Sequence, residues 1–238
     1  FVILRKLSFI GIGISHSALG GVAVGLLLGI HPLLAGGAFA LAVALGIAWM
    51  GPRTRLSEDA IIGVFFSASM ALGVVLFSLE RGYQQDLFSY LFGNVLAIST
   101  GELVALAAIG AGIALTVAAV FRPLLFVSFD EEIARAYGQR VDGLTALLLI
   151  LVALTVVIGV RLVGVLLIQA LLVIPAASAA LWTANYRSQL ALSTAFGATC
   201  GAVGLALSYQ FDIAAGGSIV LVATAVFAVS AVAGSARA

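Results

Sequence analysis

One histidine lies deep inside an apolar run of the sequence, and its side chain is of a type that can bind a metal. The segment FIGIGISHSALGG places His16 well within the charge-free run 9–30. Ionisable groups inside membrane-spanning apolar runs are costly and usually functional. A neutral imidazole can ligate a divalent transition metal. The competing interpretation is a histidine that only forms a hydrogen bond to a neighbouring helix, and composition leaves both open.

Further polar residues lie inside the apolar runs or near their edges. His31 follows the run that holds His16, and its position favours a solvated or mouth-lining role. Gln169, in LLIQALLVIP, either lines a pathway or bonds between helices. Asp212, Asp86 and Glu102 are more typical of solvated or loop-ordering carboxylates than of ligands. We keep His31, Gln169 and Asp212 as candidates for a polar pathway.

A different chemistry, contact with a partner protein, is indicated by the long polar stretch 122–142, RPLLFVSFDEEIARAYGQRVD. Ser128 and Glu131 have the S-x-x-E spacing of a capping box, in which each side chain satisfies a backbone N–H of the first turn. Gly138 is a natural C-terminal stop. The stretch therefore predicts a short helix over 128–138.

The predicted helix has one apolar face. Phe129, Ile133 and Tyr137 repeat every four residues, the spacing that aligns side chains on a helix. Acidic residues crowd its start, and Arg135 falls near its end, where it complements the helix dipole. A short, capped helix with one apolar face in a loop predicts docking onto another protein.

These residues must be positioned by a membrane-embedded helical fold. The chain is 63% hydrophobic and 9% charged, whereas soluble domains carry about 25% charged residues. Eight charge-free runs approach the roughly 20 residues that cross a bilayer: 9–30, 32–50, 60–79, 103–121, 143–160, 162–186, 188–211 and 213–234. Glycines at spacing four, Gly21, Gly25 and Gly29 in the first run and Gly197 and Gly201 in the seventh, predict close helix packing.

The distribution of Lys and Arg predicts the orientation of these runs. With eight alternating crossings, Arg81 and Arg161 fall on one side, and nine basic residues fall on the other: Arg5, Lys6, Arg53, Arg55, Arg122, Arg135, Arg140, Arg187 and Arg237. The richer side is cytoplasmic by the positive-inside rule. The loop 122–142 then faces the cytoplasm, and 80–102 faces outward with a short surface or re-entrant helix at DLFSYLFGN.

Several functions are excluded or disfavoured by what the sequence lacks. It has no G-x-x-x-x-G-K-[ST] phosphate loop and neither a G-x-S-x-G nor an H-E-x-x-H motif. A single cysteine cannot form a disulfide framework. The net charge of +1 gives no indication of nucleic-acid binding. With so few polar groups in the runs, a transport pathway fits better than an active site, and we expect no enzyme activity.

Five segments in order resemble the permease of metal-ion ABC importers, the ABC-3 family that takes up zinc, manganese or iron. They are ISHSALGGVAVG (14–25), DLFSYLFGNVLAIS (86–99), FDEEIARAYG (129–138), VGVLLIQALLVIPAASAA (163–180) and SYQFDIAAGGSIVL (208–221). The resemblance implies an all-α polytopic bundle of about eight visible transmembrane helices in the plasma membrane of a prokaryote. It implies one permease domain over 1–238, with a further helix before Phe1.

The resemblance also implies partners and cargo. Two cytoplasmic ATPases would pair with a dimer of permeases, and an extracytoplasmic binding protein would deliver the metal. The helix in 122–142 matches the family's coupling segment, with Ser128, Phe129, Glu131, Ile133, Arg135, Tyr137 and Gly138 as its docking residues. The divalent metal ion is cargo, and no permanently bound cofactor is expected.

One departure from the family pattern concerns the histidine. The family commonly has an aspartate four residues before it, and Ile12 takes that place here. Three explanations stay open: another helix supplies the second ligand, the ion passes with transient contacts, or the cargo differs. The competing functions are therefore a permease for a siderophore or haem-like chelate, and an ATP-independent channel or secondary carrier.

Overall fold

The protein is described by a computed structural model that covers residues 1–54, 56–79 and 99–235. Ten α-helices make up most of these residues: α1 Ile10–Leu28, α2 Pro32–Met50, α3 Glu58–Leu79, α4 Thr100–Ala119, α5 Phe121–Phe129, α6 Glu131–Ala136, α7 Val141–Val163, α8 Val165–Ala180, α9 Tyr186–Phe211 and α10 Ala215–Ser235. A single 3-10 turn, Gly51–Arg53, follows α2. The helix predicted at 86–94, with Asp86 and Arg81, lies outside the described residues, as do Arg55 and Arg237.

Seven of the described helices are long and apolar enough to cross a membrane, which confirms the predicted helical membrane fold. They are α1, α2, α3, α4, α7, α9 and α10. The sixth predicted run, 162–186, forms a shorter helix than expected, because α8 has 16 residues. At 1.5 Å per residue it is about 24 Å long, against a hydrocarbon core of about 30 Å.

Gly164 explains why α8 begins later than the charge pattern predicted. The sequence placed the break at Arg161, but α7 continues through Val163 and α8 starts at Val165. Gly164 has φ 83° and ψ 165°, a backbone conformation that residues other than glycine rarely adopt. Gly159 also meets Ile168 across this break, so the two helices turn sharply against each other.

The helices form two groups joined by α7. Helix α1 packs most extensively against α2 and α3, while α8, α9 and α10 pack on one another. Helix α7 contacts α1, α2 and α8 and so lies between the groups. The helices differ in burial. In an 18-residue window of α1, 72% of the residues are buried, whereas no residue in the corresponding window of α4 is buried. The helix that carries His16 is therefore the most enclosed of the seven.

Small residues on α1 allow its close approach to both neighbours. A Cβ added at Gly20 would lie 2.7 Å from the carbonyl oxygen of Ser69 on α3. One added at Gly21 would lie 2.8 Å from the carbonyl oxygen of Ala35 on α2. Neither distance leaves room for a side chain, so the predicted packing role is confirmed for Gly21, whereas Gly29 meets no described atom within 4 Å.

The second glycine pair behaves differently. Gly197 on α9 is only in ordinary contact range of Pro175, at 3.8 Å from an added Cβ, and Gly201 meets no atom within 4 Å in the described part of the chain. Close packing at Gly201 is therefore not found among the described residues. The same spacing of glycines thus has different consequences on an enclosed and on a peripheral helix.

The first testable consequence concerns Gly21. We expect Gly21→Val to cost about 1–3 kcal/mol of stability, because the new side chain overpacks the α1–α2 contact. The matched control is Gly110→Val on α4, where an added Cβ meets no atom of the described residues within 4 Å. Thermal unfolding of both variants in detergent measures the difference. Equal midpoints for the two variants would contradict the close-packing argument.

Candidate functional site

His16 is held in one orientation by its own helix. Its Nδ1 lies 3.0 Å from the carbonyl oxygen of Ile12, one turn earlier, and 3.4 Å from Ser15 Oγ. A carbonyl oxygen only accepts, so Nδ1 must carry the proton and donate it. The Nε2 atom then keeps its lone pair, as a metal-ligating nitrogen must. The bond to Ile12 thus fixes the tautomer that could bind a cation.

Contacts between α1 and α3 fix the position of the imidazole. Ser17, fully buried, donates to the Gly13 carbonyl oxygen at 2.6 Å and lies 3.1 Å from Ser69 Oγ on α3. One turn earlier on α3, the Phe66 ring meets the His16 ring edge-on, with centroids 5.2 Å apart. His16 is half-buried, so this aromatic contact covers part of the ring and leaves the rest accessible.

The other pathway candidates do not gather around His16. His31 is exposed at the N-terminus of α2, and Asp212 is exposed at the C-terminal end of α9. Gln169 on α8 places Nε2 3.4 Å from the Ser8 carbonyl oxygen, so it bonds between segments as one sequence interpretation proposed. Its Oε1 is buried over Gly11 with no hydrogen-bond partner among the described residues.

A complete resident metal site is not formed within the described residues. No group of three or more His, Cys, Asp or Glu side chains that could hold a metal occurs in 1–54, 56–79 or 99–235. His16 therefore stands without a second candidate ligand side chain in a group of this kind, and Ile12 contributes only its carbonyl oxygen, as an acceptor for the imidazole. Such an arrangement suits brief contact with a passing ion better than permanent binding.

The polar stretch 122–142 forms two helices, and the predicted capping box is wrong. Ser128 lies inside α5, where Oγ donates to the Leu124 carbonyl oxygen at 2.7 Å. The cap of α6 is Asp130, whose Oδ1 accepts from the Ile133 N–H at 2.9 Å. A cap residue needs non-helical backbone, and Asp130 has it, with φ −155° and ψ 107°. Ser128 cannot serve, because α5 continues through it to Phe129.

The S-x-x-E pattern does form a capping box elsewhere in the chain. Ser99 and Glu102 bond each other's backbone N–H groups at the start of α4, at 3.1 and 3.3 Å. Glu102 therefore serves as a helix cap, with one carboxylate oxygen accepting from the Ser99 N–H. In these two places, the four-residue pattern caps a helix only where the serine itself has extended backbone, as Ser99 does with φ −73° and ψ 153°.

The end of α6 has the predicted form. Gly138 has φ 78°, its N–H donates to the Arg135 carbonyl oxygen, and the Gln139 N–H donates to that of Ala134. These two bonds are those of a Schellman motif. Arg135 itself pairs with Asp142 at 2.7 Å, and this hydrogen bond raises the pKa of the Arg135 guanidinium above its ordinary value. Both partners are more than half exposed, so the pair adds little stability.

The apolar docking residues are uncovered, although they belong to two helices. Phe129 is 64% exposed, Ile133 49% and Tyr137 77%. Phe129 ends α5 and is not part of α6, and the Tyr137 ring folds back onto Phe126 of α5 with centroids 5.9 Å apart. The face is thus built by α5 and α6 together, and it projects from the end predicted to be cytoplasmic.

Sequence reasoning missed Arg5, which it used only as a basic residue for orientation. Its guanidinium pairs with Glu58 at 3.3 Å and with Glu131, and it donates to Thr145 Oγ1 at 2.8 Å. These partners lie on α3, α6 and α7. The contacts bring three segments predicted to be cytoplasmic to one end of the bundle. A local sequence pattern cannot reveal these contacts, because Glu131 is 126 residues from Arg5 along the chain.

The fold and these two regions define a class of protein. It is a multi-pass helical membrane transport protein, with one oriented imidazole on its most enclosed helix and an apolar face on a pair of short helices at one end. Within this class the chain belongs to the ABC 3 transport family, whose sequence profile matches residues 1–234.

Named relatives match along almost the whole chain. It is 38% identical over 227 residues to the manganese transport system membrane protein MntC of Listeria monocytogenes, covering 95% of this chain and 81% of that one. It is 37% identical to the manganese import system permease protein ScaB of Streptococcus gordonii, covering 97% and 82%. It is 35% identical to the high-affinity zinc uptake system membrane protein ZnuB of Haemophilus influenzae, covering 97% and 88%.

Solved structures share the same fold. PsaBC from Streptococcus pneumoniae, in complex with Fab, superimposes with a TM-score of 0.82 and 38% identity, over 97% of this chain and 83% of that one. An inward-facing, putative metal-chelate type ABC transporter superimposes with a TM-score of 0.75 over 96% and 80%. Its identity is 18%, so this second likeness concerns the fold alone.

The corrected cap of α6 leads to a prediction. Asp130→Ala removes the bond to the Ile133 N–H and should cost α6 about 1 kcal/mol, equivalent to about fivefold faster amide exchange in its first turns. Ser128→Ala should change this exchange less, because its hydroxyl bonds inside α5. Hydrogen exchange of peptides covering 131–137 measures both. Faster exchange in Ser128→Ala than in Asp130→Ala would show that Ser128, and not Asp130, caps the helix.

Proposed function

We propose that this chain is the permease subunit of an ATP-driven importer of a divalent transition metal ion, manganese and zinc first among the candidates. The observation that carries the proposal is the match of residues 1–234 to the ABC 3 transport family, with relatives named for manganese and zinc transport. The oriented imidazole of His16 supports it, because transition metals accept imidazole nitrogen as a ligand.

The competing functions receive less support. A chelate permease shares the fold, but the likeness to the metal-chelate type transporter stands at 18% identity and says nothing about cargo. An ion-coupled carrier usually holds charged side chains within its helices, whereas His16 is the one His, Asp, Glu, Lys or Arg residue deep in an apolar run of this sequence. Membership of an ABC family also favours ATP as the energy source.

Transport by this chain needs partners. The sequence has no phosphate-binding loop, so ATP hydrolysis belongs to separate cytoplasmic subunits. Phe129, Ile133 and Tyr137 offer them an exposed apolar face, and the capped start of α6 keeps that face in place. An extracytoplasmic binding protein would deliver the metal at the other end, near the exposed residues His31 and Asp212. The permease domain formed by residues 1–238 would work as a pair with a second copy of itself.

His16 would bind the metal transiently during alternating access. Its Nδ1 is engaged by Ile12, so Nε2 offers the lone pair. One ligand from this chain binds weakly, and weak binding serves transport, since an ion that enters must also leave. ATP closure of the two ATPases would move the α5–α6 pair, and the bundle would open to one side or the other.

A substitution at His16 tests the metal contact. We expect His16→Ala to lower ATP-dependent uptake of manganese or zinc about tenfold or more, because the only imidazole on the enclosed helix is lost. The matched control is His31→Ala, which removes an exposed imidazole at the mouth and should lower uptake less. Both variants are measured in vesicles that contain the ATPase and the binding protein, after assembly has been checked. Wild-type uptake of every divalent metal by His16→Ala would make His16 a packing residue.

A second test concerns the docking face. We expect Phe129→Ala with Tyr137→Ala to weaken co-purification of the ATPase or to uncouple ATP hydrolysis from uptake, because the apolar anchors are removed. The matched control is Tyr209→Ala with Phe211→Ala. These two aromatic residues are also exposed (93% and 65%) but lie at the C-terminal end of α9, the end predicted to face outward. Unchanged assembly and uptake in the first double variant would remove the coupling role.

A further inference from the structure

We propose that Arg5 is a positioning residue that transmits displacement of the coupling helix α6 to α1, the helix that carries His16. The inference rests on the proposed function, and it assigns a role to a residue outside both the docking face and the metal contact. Its basis is that one guanidinium joins the N-terminal segment to α3, α6 and α7.

Of the charged groups at this junction, only the arginine is shielded from solvent. The Arg5 side chain is 5% exposed, while Glu58 and Glu131 are 37% and 47% exposed. A guanidinium has five N–H donors in a rigid fork, so it can hold two carboxylates and the Thr145 hydroxyl together. Because the arginine is shielded from water, its attraction to both carboxylates is weakened less than at an exposed pair.

The segment between Arg5 and α1 is held in place by backbone hydrogen bonds and by buried side chains. Its backbone N–H groups at Arg5, Lys6 and Leu7 bond to carbonyl oxygens three to five residues earlier, and the Ile10 N–H bonds to the Leu7 carbonyl oxygen. Leu7 is 1% exposed and Ile10 is fully buried. Helix α1 begins at Ile10 and continues without interruption through His16. A shift of the guanidinium is therefore passed to the start of α1 by a hydrogen-bonded, anchored segment.

Room for such a shift exists beside the junction. A cavity of about 470 Å³ borders Arg5, Glu58, Glu131 and Thr145 and is lined by polar as well as apolar groups. The carboxylates can therefore change their distance from the guanidinium without opening the apolar core beneath it. The other ion pair of α6, Arg135 with Asp142, is more than half exposed on both sides and leads only to α7. The junction at Arg5 is thus the ionic contact of α6 that leads toward α1.

The test compares Glu131→Gln, Arg5→Gln and the double variant in proteoliposomes containing the complete complex with its ATPase and binding protein. The measured quantity is metal taken up per ATP hydrolysed, with manganese and zinc as probes. We expect each single variant to lower this ratio at least about fivefold, the lower end of coupling between linked sites. The double variant should be no worse than Arg5→Gln alone, because both changes break the same link.

Glu131→Gln keeps the test decisive if Arg5→Gln fails to assemble, since it leaves the contacts of Arg5 with Glu58 and Thr145 in place. The control is Glu132→Gln, which neutralises the next, exposed carboxylate of the same turn and should leave the ratio unchanged. A wild-type ratio in Glu131→Gln, a loss equal to that of Glu132→Gln, or additive losses in the double variant would overturn the role of Arg5. Absence of ATP-dependent metal uptake by the wild-type complex would instead overturn the proposed function, and this inference with it.

Discussion

Backbone contact between α1 and its two neighbours is the constraint on which the arrangement of the bundle depends. Apolar side chains gain nothing by leaving lipid for another helix, so association relies on close van der Waals packing and on hydrogen bonds. Gly20 and Gly21 allow the close packing, and the Ser17–Ser69 contact is the hydrogen bond between the helices. Because this contact fixes α1 against α3, the imidazole one residue earlier has a fixed position relative to Phe66.

The two candidate regions are stabilised by different interactions. The His16 region is organised by local bonds inside α1 and by short contacts with α3, with no paired charges nearby in the described chain. The opposite end is organised by ions, with Arg5 and Arg135 each holding carboxylates of other segments. The region proposed for the cargo and the region proposed for the partner therefore lie apart in the bundle and differ in their charge.

Much of the fold followed from sequence because hydropathy and charge bias act locally. The spans, the single deep histidine and the exposed face of Phe129, Ile133 and Tyr137 were all predicted. The capping box was misplaced because the spacing of Ser128 and Glu131 does not reveal that α5 continues between them. Arg5 was missed because its partners are distant in sequence, and a count of basic residues carries no information about which carboxylate each one meets.

The short helix α8 bears on how the protein responds to bilayers of different thickness. Spans that face lipid adapt to a thicker or thinner membrane by tilting. Of the residues in α8, only Leu166 and Ala180 are exposed, and Gly164 at its start is buried. Pro175, buried inside α8, has no N–H, and the backbone carbonyl that it leaves without a helix partner is thus shielded by protein, as the hydrocarbon region requires. Hydrophobic mismatch therefore acts on the peripheral spans such as α4, while α8 keeps its depth relative to α1.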